Sequence, residues 1–168
     1  MPEIDFFAPK YQTESSRQDE CFGIIEDGLL AHSVTEQDIT KDKWDVTVNN
    51  NKKKDCIFTP IDHNIVLKDN DKEISQCDGM LRTTDNRYMI FIEVKSQRHN
   101  ADSEALKQLA STIKLFIDNH SIKNWKTCRA YIVNKQHPNI YYSNKTTYQD
   151  FYKRTGFRIF KSEIIDIL

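Results

Sequence analysis

Residues 76–96 read QCDGMLRTTDNRYMIFIEVKS, and their pattern decides the fold. Side chains of a strand alternate between its two faces. Along 88–96 that rule puts Ile90, Ile92 and Val94 on one side and Met89, Phe91, Glu93 and Lys95 on the other. Apolar character on both sides predicts a strand buried in the middle of a sheet. Residues 77–83 form the other arm of a hairpin, because Asp85-Asn86 tolerates the positive φ that tight turns require. A two-residue or a four-residue loop gives the same register, with Met80 facing Phe91 and Asp78 facing Glu93. Facing residues have Cβ atoms about 4.5–5.5 Å apart, so two carboxylates there repel unless a cation sits between them.

Outward from the hairpin, the 168 residues suit one domain with a real core. A hydrophobic content of 38% with 29% charged residues excludes a disordered chain. No apolar run reaches membrane-span length, and MPEIDFFAPK lacks the regions of a signal peptide. Cys21, Cys56, Cys77 and Cys128 form no CxxC pair, which fits buried thiols in a reduced, cytoplasmic compartment. The net charge of −1 hides an asymmetry: residues 123–161 hold nine Lys/Arg and one acid, mixed with nine aromatics. Such a mixture suits a phosphate backbone with bases to stack on, and equally a core under a solvated face. Lys123, Lys126, Lys145, Lys153 and Arg154 are its candidate nucleic-acid contacts.

In chain order, residues 1–14 are expected to form a loosely held arm. Ser15 or Ser16 then caps a helix to about Gly28, carrying Phe22, Ile25 and Leu29 at helical spacing. Glu20 is by default a first-turn charge of that helix. Residues 44–48 and 56–67 have strand character, the latter broken by Pro60 and therefore an edge or bent strand. Asp102 or Ser103 caps a helix over 104–119 whose apolar stripe runs through Leu109, Ile113 and Phe116, with Gln108 beside it. Strands follow at 127–133, 139–143 and 157–160, with a short helix over 147–155 closed by Gly156. Strand, helix and strand across 88–133 imply a parallel crossover, hence a mixed α/β class.

Two carboxylates with oxygen-only donors suit a hard cation, Mg²⁺ or Mn²⁺, which retains waters and takes phosphate oxygens as further ligands. Lys95 lies one strand period from Glu93, in position to orient or deprotonate a water or to stabilise developing charge. The Val94 carbonyl is a further candidate ligand. Cys77-Asp78, fourteen intervening residues, Glu93-Val94-Lys95 and a following helix together resemble the PD-(D/E)xK superfamily of restriction-endonuclease-like phosphodiesterases. The resemblance implies a central mixed β-sheet flanked by α-helices and a metal-dependent nuclease, foremost an endodeoxyribonuclease of repair, recombination, restriction or defence. It also implies Asp78 and Glu93 as metal ligands, Lys95 as the catalytic lysine, and Glu20 and Gln108 as accessory residues. The implied partner is nucleic acid, DNA first, with a homodimer or a target-selecting protein as further options.

Two departures stand out. The Pro of the motif is Cys77, and Thr112 occupies the place of the Tyr that follows the Gln in RecB-type members. The five histidines lack zinc-ligand spacing, His99 reads as an exposed loop residue, and four glycines form no phosphate-cradling loop. The alternative function is a catalytically inactive module of the same fold that binds nucleic acid or a protein. Against it, three charged side chains on one hydrophobic strand pair have no reason to coexist without a task.

Overall fold

The computed structural model describes residues 3–96, 100–135 and 145–168. Among these residues, eleven strands and two α-helices run in the order β1 (Cys21–Ile25), β2 (His32–Val34), β3 (Val46–Asn49), β4 (Cys56–Pro60), β5 (Lys68–Asp69), β6 (Lys72–Glu73), β7 (Gly79–Thr83), β8 (Tyr88–Lys95), α1 (Ala101–Asn119), β9 (Thr127–Asn134), α2 (Lys145–Thr155), β10 (Arg158–Lys161) and β11 (Ile164–Asp166). The class is mixed α/β. No helix among the described residues is long and apolar enough to cross a membrane.

The hairpin forms in the expected register, Met80 opposite Phe91 and Leu81 opposite Ile90, closed by a four-residue loop with Asn86 at φ 60°. Around it the central sheet has the order β10-β9-β8-β7-β4. The β4-β7-β8 pairs are antiparallel and the β8-β9-β10 pairs parallel, so α1 and α2 are crossover connections. Strand β8 is central and buried on both sides, as its composition predicts. Strand β4 lies at the edge and ends at Pro60, where a residue without an N–H is tolerated.

The two faces of β8 feed two cores. Met89 and Phe91 pack with Leu109, Ile113 and Phe116 of α1 and with Phe151 of α2. Ile90, Ile92 and Val94 pack instead against Phe22, Ile24, Val46, Val48 and Ile165. These last residues belong to a second sheet of order β11-β3-β1-β2, laid over the other face. The result is three layers: helices, a mixed sheet, and a second sheet. The expectation of a sheet flanked by helices is thus corrected, since helices cover one face and strands the other.

Three further expectations are corrected. The helix over 16–28 is absent: Arg17 bridges the backbone of Cys56, and Cys21–Ile25 is a strand. Phe22 and Ile24 point inward with a period of two, while Leu29, the third member of the supposed stripe, is 73% exposed. β-Branched Ile24 and Ile25 favour the extended form, and Gly23 lies so close under Trp44 that a Cβ would fall 2.2 Å from its ring. The N-terminal arm is docked, not loose. Phe6 is 1% exposed among Phe91 and Phe116, with its N–H donated to His120 Nε2 at 3.1 Å. Finally, α1 begins earlier than 104, at Ala101, behind Asn100 in the left-handed conformation, with no side-chain cap. Helix α2 and its terminating Gly156 (φ 78°) follow the expectation, whereas 139–143 lies outside the described residues.

Candidate active site

Asp78 immediately precedes β7, and Glu93 lies opposite it near the end of β8. The two are cross-linked through backbone: the Asp78 N–H donates to Glu93 Oε2 at 3.1 Å, and the Val94 N–H donates to Asp78 Oδ2 at 2.7 Å. Within a strand, a residue's N–H and C=O point to the same side, so the Val94 carbonyl faces the Asp78 edge as well. Lys95 Nζ lies 3.0 Å from Glu93 Oε1. One turn therefore brings Asp78, Glu93 and Lys95 together.

Asp78 is held from both neighbouring strands. The chain after β4 continues its pairing, with the Ile61 N–H donating to the Asp78 carbonyl at 2.9 Å and the Asp62 N–H to the Cys77 carbonyl at 3.1 Å. From the helix side, Thr112 Oγ1 accepts the Cys77 N–H at 2.8 Å and is itself within 3.0 Å of the Gln108 carbonyl. Proline at position 77 would have no N–H to give, so the two departures from the motif, Cys77 and Thr112, are one interaction. Gly79 next to Asp78 has no room for a side chain, since a Cβ would lie 2.4 Å from the Phe58 ring.

Electrostatics sets this pair apart from the surface acids. Burial pushes the Asp78 carboxyl up to about 7; the Val94 N–H and Lys95 oppose the shift, and the charges of Glu26 and Asp62 add to it. Burial, and then the Asp78 charge, pushes Glu93 up to about 9 against the pull of Lys95. A lysine at 3.0 Å would by itself favour the carboxylate form, but Glu93 is only 1% exposed and desolvation wins. Only with both carboxyls ionised would the site carry more negative charge than its one lysine offsets, and a bound cation would favour that ionised form. Among the described residues no three of His, Cys, Asp and Glu converge as a ready-made metal cage. The donors that Asp78 and Glu93 present are two carboxylates, the ligand type with which Mg²⁺ is bound beside waters and substrate oxygens.

Of the accessory candidates, Gln108 reaches the segment that leads into the site: its Nε2 donates to the Gln76 carbonyl at 3.4 Å. Its Oε1 is buried with no hydrogen-bond partner. Glu20 does not join the pair. It precedes β1, exposed, 3.4 Å from Lys53, whereas the acid whose charge acts on Asp78 is Glu26 at the other end of that strand. Glu26 and Asp62 were missed. Asp62 was legible in principle, because the antiparallel pairing of β4 with β7, extended past Pro60, sets it beside Cys77.

Lys123 and Lys126 lie at the start of β9, level with the hairpin loop, where the Lys126 N–H donates to the Asn86 carbonyl. Glu93 and Lys95 are level with the end of β9, roughly 20 Å away at about 3.3 Å per residue. Lys153 and Arg154 close α2 and lead into the start of β10, again at the hairpin-loop end. Lys145 opens α2, but its side chain lies outside the described residues, as does His99. No family model matches this chain, and neither the curated proteins nor the solved structures include a match. What fold and site define together is a mixed α/β protein with a buried carboxylate pair and an attached lysine on its central hairpin.

Proposed function

We propose that this protein is a metal-dependent nuclease that hydrolyses phosphodiester bonds, DNA foremost, with Mg²⁺ or Mn²⁺ as cofactor. One observation carries the reading: two buried carboxylates, cross-linked through each other's backbone, with a lysine ammonium 3.0 Å from one of them. The order of the central elements supports it. Asp78 and Glu93-Val94-Lys95 stand on neighbouring strands, and α1 follows, which is the order of parts on which the PD-(D/E)xK resemblance rests.

Asp78 and Glu93 would hold the cation, with the Val94 carbonyl as a further donor. When bound, such an ion lowers the pKa of a coordinated water and offsets charge building on a phosphate. Glu93 holds Lys95 at the site, and the Lys95 ammonium orients the attacking water and donates to the developing negative charge. Thr112 and Gln108 position Asp78 through Cys77 and Gln76 rather than touching substrate.

The test is cleavage of labelled DNA and RNA with Mg²⁺, Mn²⁺ or chelator. Wild type is expected to cleave only with metal, and Lys95→Ala to be slower by about 10²–10⁴-fold. Wild-type rates in Lys95→Ala, or no cleavage of any nucleic acid by wild type, would overturn the reading.

A further inference from the structure

At the end of the central sheet opposite the carboxylates lies a cavity of about 380 Å³ that the hydrolytic site does not use. Trp125, Tyr152 and Phe160 supply its rings, and Lys126, Arg129 and Arg158 its charges. No carboxylate lines it among the described residues. The Arg158 guanidinium stacks on Tyr152 at 5.0 Å, and that of Arg129 on Phe160 at 5.1 Å. Arg129 also reaches Tyr88 at 5.6 Å and so helps tie the sheet to its neighbours. Lys126 and Arg158 are different. Both are exposed, and neither has a carboxylate partner among the described residues.

Flat rings beside unneutralised cations, in a volume fit for one base with its phosphate, form a site for a nucleotide rather than for an apolar ligand. Lys123, Lys153 and Arg154 lie at the same end of the sheet and add to its positive charge. We propose that this cavity binds a nucleotide unit of a single-stranded nucleic acid, its base stacked on Tyr152 or Trp125 and its phosphate on Lys126 and Arg158. A strand anchored there is held roughly 20 Å from Asp78 and Glu93 at about 3.3 Å per strand residue. The fate of the strand rests on the nuclease reading. Binding does not, and can be measured without cleavage.

The experiment uses the full chain carrying Asp78→Asn, in chelator, with a fluorescein-labelled twelve-residue oligothymidylate followed by anisotropy. Tyr152→Ala is expected to weaken binding roughly 5- to 150-fold, the range that one stacked base covers. Arg158→Ala and Lys126→Ala should each weaken binding and flatten the slope of log affinity against log salt by about 0.7. All three side chains are exposed, so unfolding curves matching the parent will exclude misfolding, and Arg158→Lys should restore the salt slope but not the affinity. Thymidine monophosphate or polyglutamate competing as well as the oligomer would overturn the assignment, as would binding unchanged in all three variants. Cleavage by wild type together with that unchanged binding would remove the pocket and leave the nuclease standing. Pocket-dependent binding without any cleavage would sustain this inference and remove the nuclease.

Discussion

Glu93 is the residue at which burial and charge conflict most sharply. Its carboxyl is pushed up to about 9 by burial and by Asp78, from an ordinary value near 4.5. The sign follows from linkage. A group whose folded pKa is raised holds its proton in the folded state after the unfolded chain has lost it. Its stabilisation is then complete below the unfolded value and vanishes as pH rises through the folded one. Metal-free protein is therefore expected to lose stability steadily from about pH 5 through pH 9, Asp78 at about 7 contributing in the middle of the range. Glu93→Gln removes the charge but keeps the shape. It should be more stable than wild type at pH 8 by on the order of 1–3 kcal/mol, and its pH profile flatter. Urea unfolding in chelator at pH 5, 7 and 9 measures both. Saturating Mg²⁺ should act oppositely, stabilising wild type by about 2.7 kcal/mol at a hundred times its dissociation constant and Glu93→Gln much less. A wild-type profile that rises from pH 5 to 9 would contradict this account of the pair.

At the scale of elements, α1 does more than cover the sheet. Thr112 Oγ1 accepts the Cys77 N–H, the last backbone donor before Asp78, at a fully buried position. Thr112→Val is nearly isosteric and leaves that N–H unpaired, at a cost of about 1–3 kcal/mol. Because Thr112 positions Asp78, the variant should need more metal for half-maximal cleavage, and Thr112→Ser should restore both properties. An unchanged metal requirement would leave Thr112 a stabilising role alone. A metal titration of the three proteins decides.

The elements also explain what was legible in the sequence. The hairpin register, the central β8, the crossover and both helices could be read because each has its own period or turn residues. The candidate triad came with them, since a register fixes which side chains meet. The stretch 16–28 misled because Phe22, Ile25 and Leu29 fit a helical stripe by coincidence, while the burial that decided the matter came from β3 and β11, distant in sequence. Strand β11 carries no signal of its own. Its three residues are strand because β3 offers them an edge.

Across the whole molecule, the chain's first described residues close one core while its last close the other. Ile165 and Ile167 are buried in the layer between the sheets, and the Leu168 N–H donates to the Tyr88 hydroxyl at 3.1 Å. Phe6 fills the helix-side core edge-on to Phe91 and Phe116. Its neighbour Ile4 donates its N–H to Asn119 Oδ1 at 3.0 Å, so two backbone donors fasten this segment to the end of α1. Magnitude separates a docked segment from a loose arm. Truncation in a loose arm changes stability by less than about 0.5 kcal/mol, whereas Phe→Ala in a core costs about 3–5 kcal/mol. Phe6→Ala is expected in the second range, read as a lower urea midpoint with an unchanged slope. The fastening should also weaken in acid. Burial lowers the pKa of His120, whose Nε2 accepts the Phe6 N–H. A depressed histidine contributes stability that is present above its unfolded pKa and lost as pH falls through the folded one. Below the ordinary histidine range, His120 gains a proton and can no longer accept, and the gap between wild type and Phe6→Ala should narrow. Phe6→Ala within about 0.5 kcal/mol of wild type at pH 8, the size of an ordinary surface change, would return these residues to a loose arm and leave the aromatic cluster to Phe91, Phe116 and Phe157.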